Sequence, residues 1–201
     1  MKVDEWLVFF KQHSGKKLFS VSDIVHLVDE PKSSISVQLT RLSHAKILNR
    51  VAQGWYANPF NQPSVEEIAM VLRVPSYLSL EYALSRHGIL SQRVYTLTLI
   101  SPHPPYTFQS NQRIYEYHQI QKSLFWGYTN EHGIFIGSPE KAMLDLIYIR
   151  GVKTKEFSQK RFSSLLDDMD KDVFDRQLLQ SYGKRFSKKT QALAVQLGLL
   201  A

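Results

Sequence analysis

The first sixty residues change from a helical hydrophobic spacing to a strand-like one. Ile35, Leu39 and Leu42 recur at i, i+4 and i+7, which places them on one face of an α-helix. Residues 47–56 then read as two short strands, and Gln53–Gly54 supplies the turn between them. The pattern predicts a helix whose apolar face is buried, followed by a β-hairpin.

Two further helical patterns precede this helix. Residues 3–13 carry aromatic side chains on one side, and residues 20–29 form a shorter segment that Ser20 or Ser22 can cap. Pro31 separates the second helix from the third, because proline disfavours helix in the residue before it. Three helices and a hairpin predict a winged helix-turn-helix, in which the third helix enters the major groove of DNA. The alternative is an ordinary small α/β segment whose polar helix face is solvated.

The helix face opposite the apolar stripe supplies the candidate DNA contacts. On a helical wheel, Ser33, Val37, Thr40, Arg41 and His44 point away from Ile35. Arg50 and Gln53 lie on the predicted hairpin. Arg41 is the long donor suited to base edges, and Arg50 is placed to meet phosphate.

The region after the hairpin marks a domain boundary. Residues 57–64 contain two prolines and two asparagines, a composition typical of a loop or linker. We therefore predict domains at 1–60 and 61–201. Ser64 and Glu67 have capping-box spacing, which predicts a helix directly after this stretch, and a second helix is predicted at 77–88.

The second domain combines strands with helices. Residues 93–101, 106–120 and 127–138 alternate and are rich in β-branched and aromatic residues, which predicts a small antiparallel sheet. Ser138 caps an apolar helix at 140–150, and further helices are predicted in the tail. The fold class is therefore α+β, with an N-terminal winged helix-turn-helix, a mixed domain and a helical C-terminal part.

Charge and composition favour a cytoplasmic protein that binds polyanions. The formal net charge is +7, with 8 lysines and arginines against 5 acids in residues 1–60 and 10 against 6 in residues 151–201. A basic surface attracts nucleic acid, although many proteins are equally basic for solubility. The sequence has no cysteine, which excludes disulfides and thiolate metal sites. No signal peptide and no apolar run long enough for a membrane span is apparent.

Two segments of the second domain resemble signature segments of a known family. YLSLEYALSRHGIL at 77–90 and IFIGSPEKAMLDLIY at 134–148 resemble AbiEi-type antitoxins of type IV toxin–antitoxin systems. The resemblance implies a winged helix joined to an antitoxin domain. It also implies repression of the protein's own operon and neutralisation of a nucleotidyltransferase-like toxin without a stable complex. Taken as residues alone, both segments also read as packing and capping positions, which identify a fold without identifying a site.

Catalytic and metal-binding patterns are weak. The sequence has no phosphate-binding glycine loop, nucleophile elbow or H-E-x-x-H motif, so we expect neither an enzyme nor a cofactor. Asp168, Asp170 and Asp172 have calcium-loop spacing, but Val173 and Leu179 stand where that loop needs glycine and glutamate. These carboxylates are better read as a solvated turn or helix start.

Two other polar groups leave alternatives open. Glu116 and His118 lie two apart on a predicted strand, so they form either an acid–base pair or the polar face of that strand. The densest basic cluster consists of Lys184, Arg185, Lys188 and Lys189. It is either a solvated cationic face or a second surface that binds nucleic acid or a protein partner.

Together with the winged-helix pattern, the resemblance implies an antitoxin and autorepressor that binds double-stranded DNA in its own promoter, and we expect it to act as a homodimer or as cooperative monomers. The alternative is a winged-helix transcriptional regulator whose second domain is a protein- or RNA-interaction module.

Overall fold

The protein contains both α-helices and β-sheets, and it divides into two compact units. The computed structural model describes residues 1–92, 94–110, 113–154 and 159–200. The first unit is Met1–Ile68 and the second is Ala69–Ala201. The sheets are antiparallel in one unit and mixed in the other, so the α+β class is confirmed.

The first unit contains the three predicted helices and the predicted hairpin, together with a strand, Leu18–Ser20, that the sequence did not predict. Its elements are α1 (Val3–Gln12), β1 (Leu18–Ser20), α2 (Val21–Leu27), α3 (Lys32–His44), β2 (Asn49–Ala52) and β3 (Trp55–Ala57). Within residues 1–68, all of which are described, β1 and β2 both pair antiparallel with β3, giving the order β1-β3-β2. Ser20 caps α2 and accepts a hydrogen bond from Asp23 N. Gly54 adopts a φ of +74°, the left-handed conformation that the hairpin turn requires.

The core of the first unit is one cluster of aromatic and aliphatic side chains. The predicted stripe of Ile35, Leu39 and Leu42 is buried. It packs in one cluster with residues from α1, α2, the sheet and the segment before β2, which are Trp6, Phe9, Phe10, Phe19, Ile24, Leu48 and Tyr56. Burial of this stripe fixes which face of α3 remains at the surface.

The stretch predicted as a loop or linker is built into the end of the first unit. Asn58 is fully buried, and its side-chain amide donates to the carbonyl oxygens of Phe10, His13 and Lys16. Glu67 accepts from the backbone of Ser64 at the start of α4 (Val65–Leu72), and its carboxylate lies 2.9 Å from Lys17 Nζ. The predicted boundary at 60/61 lies within this stretch, and the first compact unit ends at Ile68.

The second unit carries a sheet with helices after and between its strands. The strands are β4 (Tyr77–Leu78), β5 (Leu97–Ser101), β6 (Tyr106–Ser110), β7 (Arg113–Gln119), β8 (Tyr128–Glu131) and β9 (Ile134–Gly137). The helices are α5 (Leu80–Arg86), α6 (Pro139–Leu146), α7 (Gln159–Asp167), α8 (Arg176–Gly183) and α9 (Lys188–Gln196). A π-helical segment, Ile147–Lys153, continues α6. Ser138 caps α6, with Pro139 in its first turn, as predicted.

The prediction of a small antiparallel sheet in the second unit is wrong, because this sheet is larger and mixed. Six strands among the described residues run in the order β6-β7-β5-β4-β9-β8, and both β5/β7 and β4/β9 are parallel. The centre of the sheet contains Tyr77–Leu78, which had been assigned to a helix. Local periodicity identified the other strands but not this short buried one, because a two-residue apolar strand has no period to read.

Among the described residues, no helix has both the length and the apolar character that crossing a membrane requires.

Candidate nucleic-acid interface

A cleft lies between α3 and the hairpin of the first unit. Lys32, Ser36 and Thr40 line it from α3 at i, i+4 and i+8, and Arg50 and Gln53 line it from the hairpin. Its volume is about 430 Å³. Thr40 Oγ1 donates to the carbonyl oxygen of Ser36 at 2.8 Å, so this hydroxyl keeps its lone pairs for an incoming donor. We call this region the α3–hairpin cleft.

The remaining predicted contacts lie on the outer face of α3. Ser33, Val37, Arg41 and His44 are exposed, and Val37 retains 51% of its accessible surface. Arg41 also lines a separate groove formed with the start of α1, next to Trp6. The structure therefore brings Thr40, Arg50 and Gln53 into the cleft and places the other four predicted residues on the adjoining helix surface.

Three cations of α3 and the hairpin have no acidic partner among the described residues. Within the described part of the chain, Lys32, Arg41 and Arg50 form no ion pair, and all three are exposed. By contrast, Lys17 is neutralised by Glu67. Arg50 Nε donates to the carbonyl oxygen of Ala52 on its own strand, at 3.3 Å. Cations without a carboxylate partner raise the local concentration of polyanions.

A polar cluster fixes α3 against α1. Gln38 Nε2 donates to Glu30 Oε2 at 2.6 Å, and the indole N–H of Trp6 donates to Gln38 Oε1 at 2.9 Å. Ser34 Oγ also donates to Glu30, at 3.1 Å. The hydrogen bond from Gln38 is the main cause that lowers the pKa of the Glu30 carboxyl. The orientation of the exposed face of α3 is thus set by directional bonds as well as by the apolar core.

The second basic surface is exposed but is not uniform. Lys184 follows α8, and Lys188 and Lys189 begin α9, where the helix dipole adds to their positive charge. Arg185 is held differently: its guanidinium carbon lies 3.8 Å from the centre of the Trp126 ring. The structure therefore presents three solvated lysines beside one stacked arginine.

A buried polar network joins the two segments that carry the family resemblance. Tyr77 and Ser79 come from the first segment, Lys141 and Asp145 from the second, and all four are fully buried. The hydroxyls of Tyr77 and Ser79 donate to Asp145 Oδ2 at 2.8 and 2.9 Å. Lys141 Nζ donates to Asp145 Oδ1 and, at 2.8 Å, to Tyr77 Oη.

Burial dominates the electrostatics of this network. It lowers the pKa of Lys141 and raises the pKa of Asp145, while their mutual attraction opposes both changes. The Lys141 ammonium also lies 5.2 Å from the centres of the Trp126 and Phe186 rings. Sequence reasoning assigned these segments to packing and missed the network. The detectable signal was Lys141 and Asp145 at i, i+4 within an otherwise apolar helix.

Glu116, Glu81 and Arg150 form an ion cluster, and His118 lies beside Glu116. His118 Nε2 lies 3.4 Å from Glu116 Oε2, and Arg150 Nη2 lies 3.5 Å from the same oxygen. The interaction with His118, together with the charge of Arg150, lowers the pKa of Glu116. Both side chains are partly buried, so they are not simply the wet face of a strand.

Two of the three spaced aspartates accept hydrogen bonds through their carboxylates. Asp170 Oδ1 accepts from the backbone N–H of Asp172 and caps a short 3₁₀ turn. Asp168 Oδ2 accepts from Gln92 Nε2 at 3.1 Å. In the described ranges, no three histidine or acidic side chains come together in a way that would hold a metal ion.

Lys32 and Ser36 are the cleft residues that sequence reasoning missed. They share the i, i+4, i+8 spacing of Thr40, but on the helical wheel they lie about 60° and about 100° from Ile35, beside the apolar stripe, so the wheel does not select them and only the position of the hairpin reveals them. No protein-family model matches the chain, and no curated protein sequence matches it.

Proposed function

We propose that the first unit is a winged helix-turn-helix that binds double-stranded DNA in the promoter of its own operon. The order of helix, strand, two helices and hairpin, with the third strand between the other two, supports this assignment. In that arrangement α3 is the helix that enters the major groove, and the β2–β3 hairpin is the wing.

The observation that carries the proposal is the cationic surface formed by α3 and the hairpin. Arg41 stands on the exposed face of α3, where a guanidinium is suited to reach the N7 and O6 of guanine. Lys32 and Arg50 lie at opposite walls of the α3–hairpin cleft, where they can neutralise phosphates on one strand. Ser36 and Gln53 add hydrogen-bonding groups between them.

Two copies are expected on each operator. One winged helix covers only a few base pairs, so specific repression requires repeated half-sites occupied by a homodimer or by cooperative monomers. A one-to-one complex on an operator with a single half-site would contradict this part of the proposal.

Footprinting of the intact protein on its own promoter tests DNA binding. We expect a protected region with an internal repeat, and an affinity that falls steeply with salt as lysines and arginines displace condensed counterions. Absence of a protected site upstream of the operon would refute the proposal.

For the second unit we propose an antitoxin role without catalysis. The resemblance of residues 77–90 and 134–148 to AbiEi-type antitoxins supports it, and the toxin implied is nucleotidyltransferase-like. On this proposal the protein acts in the cytoplasm and forms no stable complex with the toxin. Growth of cells expressing the neighbouring toxin gene, with and without this chain, is the test; a lack of protection would contradict the antitoxin role.

One surface favours the alternative, in which the second unit binds RNA. Tyr106 on the edge strand β6 is 40% exposed, and its ring stacks with Phe108. The guanidinium of Arg73 lies over the Tyr106 ring at 5.4 Å. Exposed aromatic rings beside arginine are a platform for unstacked bases. Ultraviolet crosslinking of RNA to Tyr106 in cells would support this alternative, and co-purification of stoichiometric toxin would support a protein-interaction module.

A further inference from the structure

The second unit contains a small aromatic pocket that the DNA-binding proposal does not use. Its lining is Met70, Val74, Pro75, Ser76, Phe125, Tyr128 and Phe135, and its volume is about 170 Å³. The aromatic rings are in mutual contact: the Tyr128 centroid lies 5.2 Å from that of Phe125 and 5.9 Å from that of Phe135. None of the seven lining residues is charged, so the pocket favours a neutral occupant.

The buried hydroxyl of Ser76 gives this apolar pocket one hydrogen-bonding group. Ser76 is only 7% exposed, and within the described part of the chain its Oγ has no hydrogen-bond partner. A buried hydroxyl without a partner is unfavourable, since it has lost its hydration and gained nothing in return. A ligand that brings one donor or acceptor to Ser76 removes that penalty.

Size limits the occupant to one ring. An apolar cavity of about 150 Å³ in another protein binds benzene, and this pocket, at about 170 Å³, leaves room for one additional polar atom. Aromatic walls favour an aromatic guest, because offset and edge-to-face ring contacts add to the burial of area. We propose that this pocket binds a neutral, single-ring aromatic small molecule with one hydroxyl or amino group, phenol being the simplest member.

Methyl NMR of the intact protein tests the pocket directly. The sequence has 4 methionines, and only Met70 lines the pocket. Titration of phenol into protein labelled at the methionine methyl groups should shift the Met70 signal through the ring current. The signals of Met143 and Met169 serve as internal controls. A Met70 signal that does not move, or that moves together with the controls, overturns the proposal.

Toluene, which has the ring but no hydroxyl, and two variants of Ser76 distinguish the contribution of the ring contacts to binding from that of the hydrogen bond to Ser76. Ser76→Ala should keep its stability, because it removes an unpaired group, and should bind phenol about 3- to 10-fold more weakly, the range for one neutral hydrogen bond. Its affinity for toluene should not change. Ser76→Leu fills the pocket and should abolish the Met70 shift for both ligands. Equal phenol binding by the wild type and Ser76→Ala refutes the assigned role of the hydroxyl, and this comparison stands even if Ser76→Leu fails to fold.

Discussion

Breaking the buried ion pair of the second unit should strongly destabilise it. Lys141→Met preserves most of the side-chain volume but leaves the Asp145 carboxylate buried without its cation. Removing one partner of a buried pair typically costs about 3 to 5 kcal/mol. The upper part of this range is expected here, because both side chains are fully buried and solvent cannot replace the lost ammonium.

A double-mutant cycle isolates the pair from its surroundings. Asp145→Asn should also destabilise the unit, because it leaves the Lys141 ammonium buried without its carboxylate. The double variant, Lys141→Met with Asp145→Asn, has no buried charge at the pair and leaves a neutral amide that the hydroxyls of Tyr77 and Ser79 can still reach. The free energy of unfolding of the double variant should therefore fall by at least about 2 kcal/mol less than the sum of the two single decreases. Urea unfolding of the full chain, followed at the buried Met143 methyl signal, measures these values. Additive losses would show that Lys141 and Asp145 act independently and would refute the network as described.

Three further predictions concern the division of roles between the units, the cap of α2 and the ion cluster. A chain lacking residues 1–60 should lose promoter binding and keep part of its protection against the toxin; rescue of growth by residues 1–60 alone would contradict the division of roles. Ser20→Ala should destabilise the first unit by about 1 kcal/mol in a urea melt, because it removes the cap of α2; an unchanged midpoint would contradict it. Because His118 and Arg150 lower the pKa of Glu116 below its ordinary 4.5, its contribution to stability is complete above pH 4.5 and is lost as pH falls through the lowered value. Glu116→Gln should therefore weaken the loss of stability in acid, and identical acid profiles would argue against the ion cluster.

The sequence predicted the three helices and the hairpin of the first unit, but not strand β1, because the signals of those elements are local. The α3 stripe, the Ser20 cap and the Gly54 turn each depend on residues within a few positions of one another. The contact of Asn58 with three carbonyl oxygens of the α1 region could not be predicted, since nothing near Asn58 in the sequence indicates a partner more than forty positions away.

The fold of the second unit was harder to predict, because it depends on contacts between residues that are far apart in the sequence. Parallel pairing of β5 with β7 joins strands that are separated by β6, and only the tertiary fold decides which strands become neighbours. The segment at Tyr77 was assigned to a helix because its apolar residues run into those of α5. For the candidate interface, the helical wheel identified the exposed side of α3 but not the cleft, because the position of the hairpin beside Lys32 and Ser36 is a tertiary feature.

Competition titrations on operator and random DNA, at several salt concentrations, test the proposed DNA-binding face most directly. Arg41→Ala should lose about 1 to 3 kcal/mol of discrimination at one base position. Arg50→Ala should weaken binding to all sequences equally and reduce the salt slope by about one unit. Lys11→Ala is the matched control, because Lys11 is an exposed cation on α1 that lines neither groove of α3; it should bind like the wild type. Wild-type binding by Arg41→Ala and Arg50→Ala, or equal losses in all three variants, would contradict the assignment of α3 and the hairpin as the DNA-binding face.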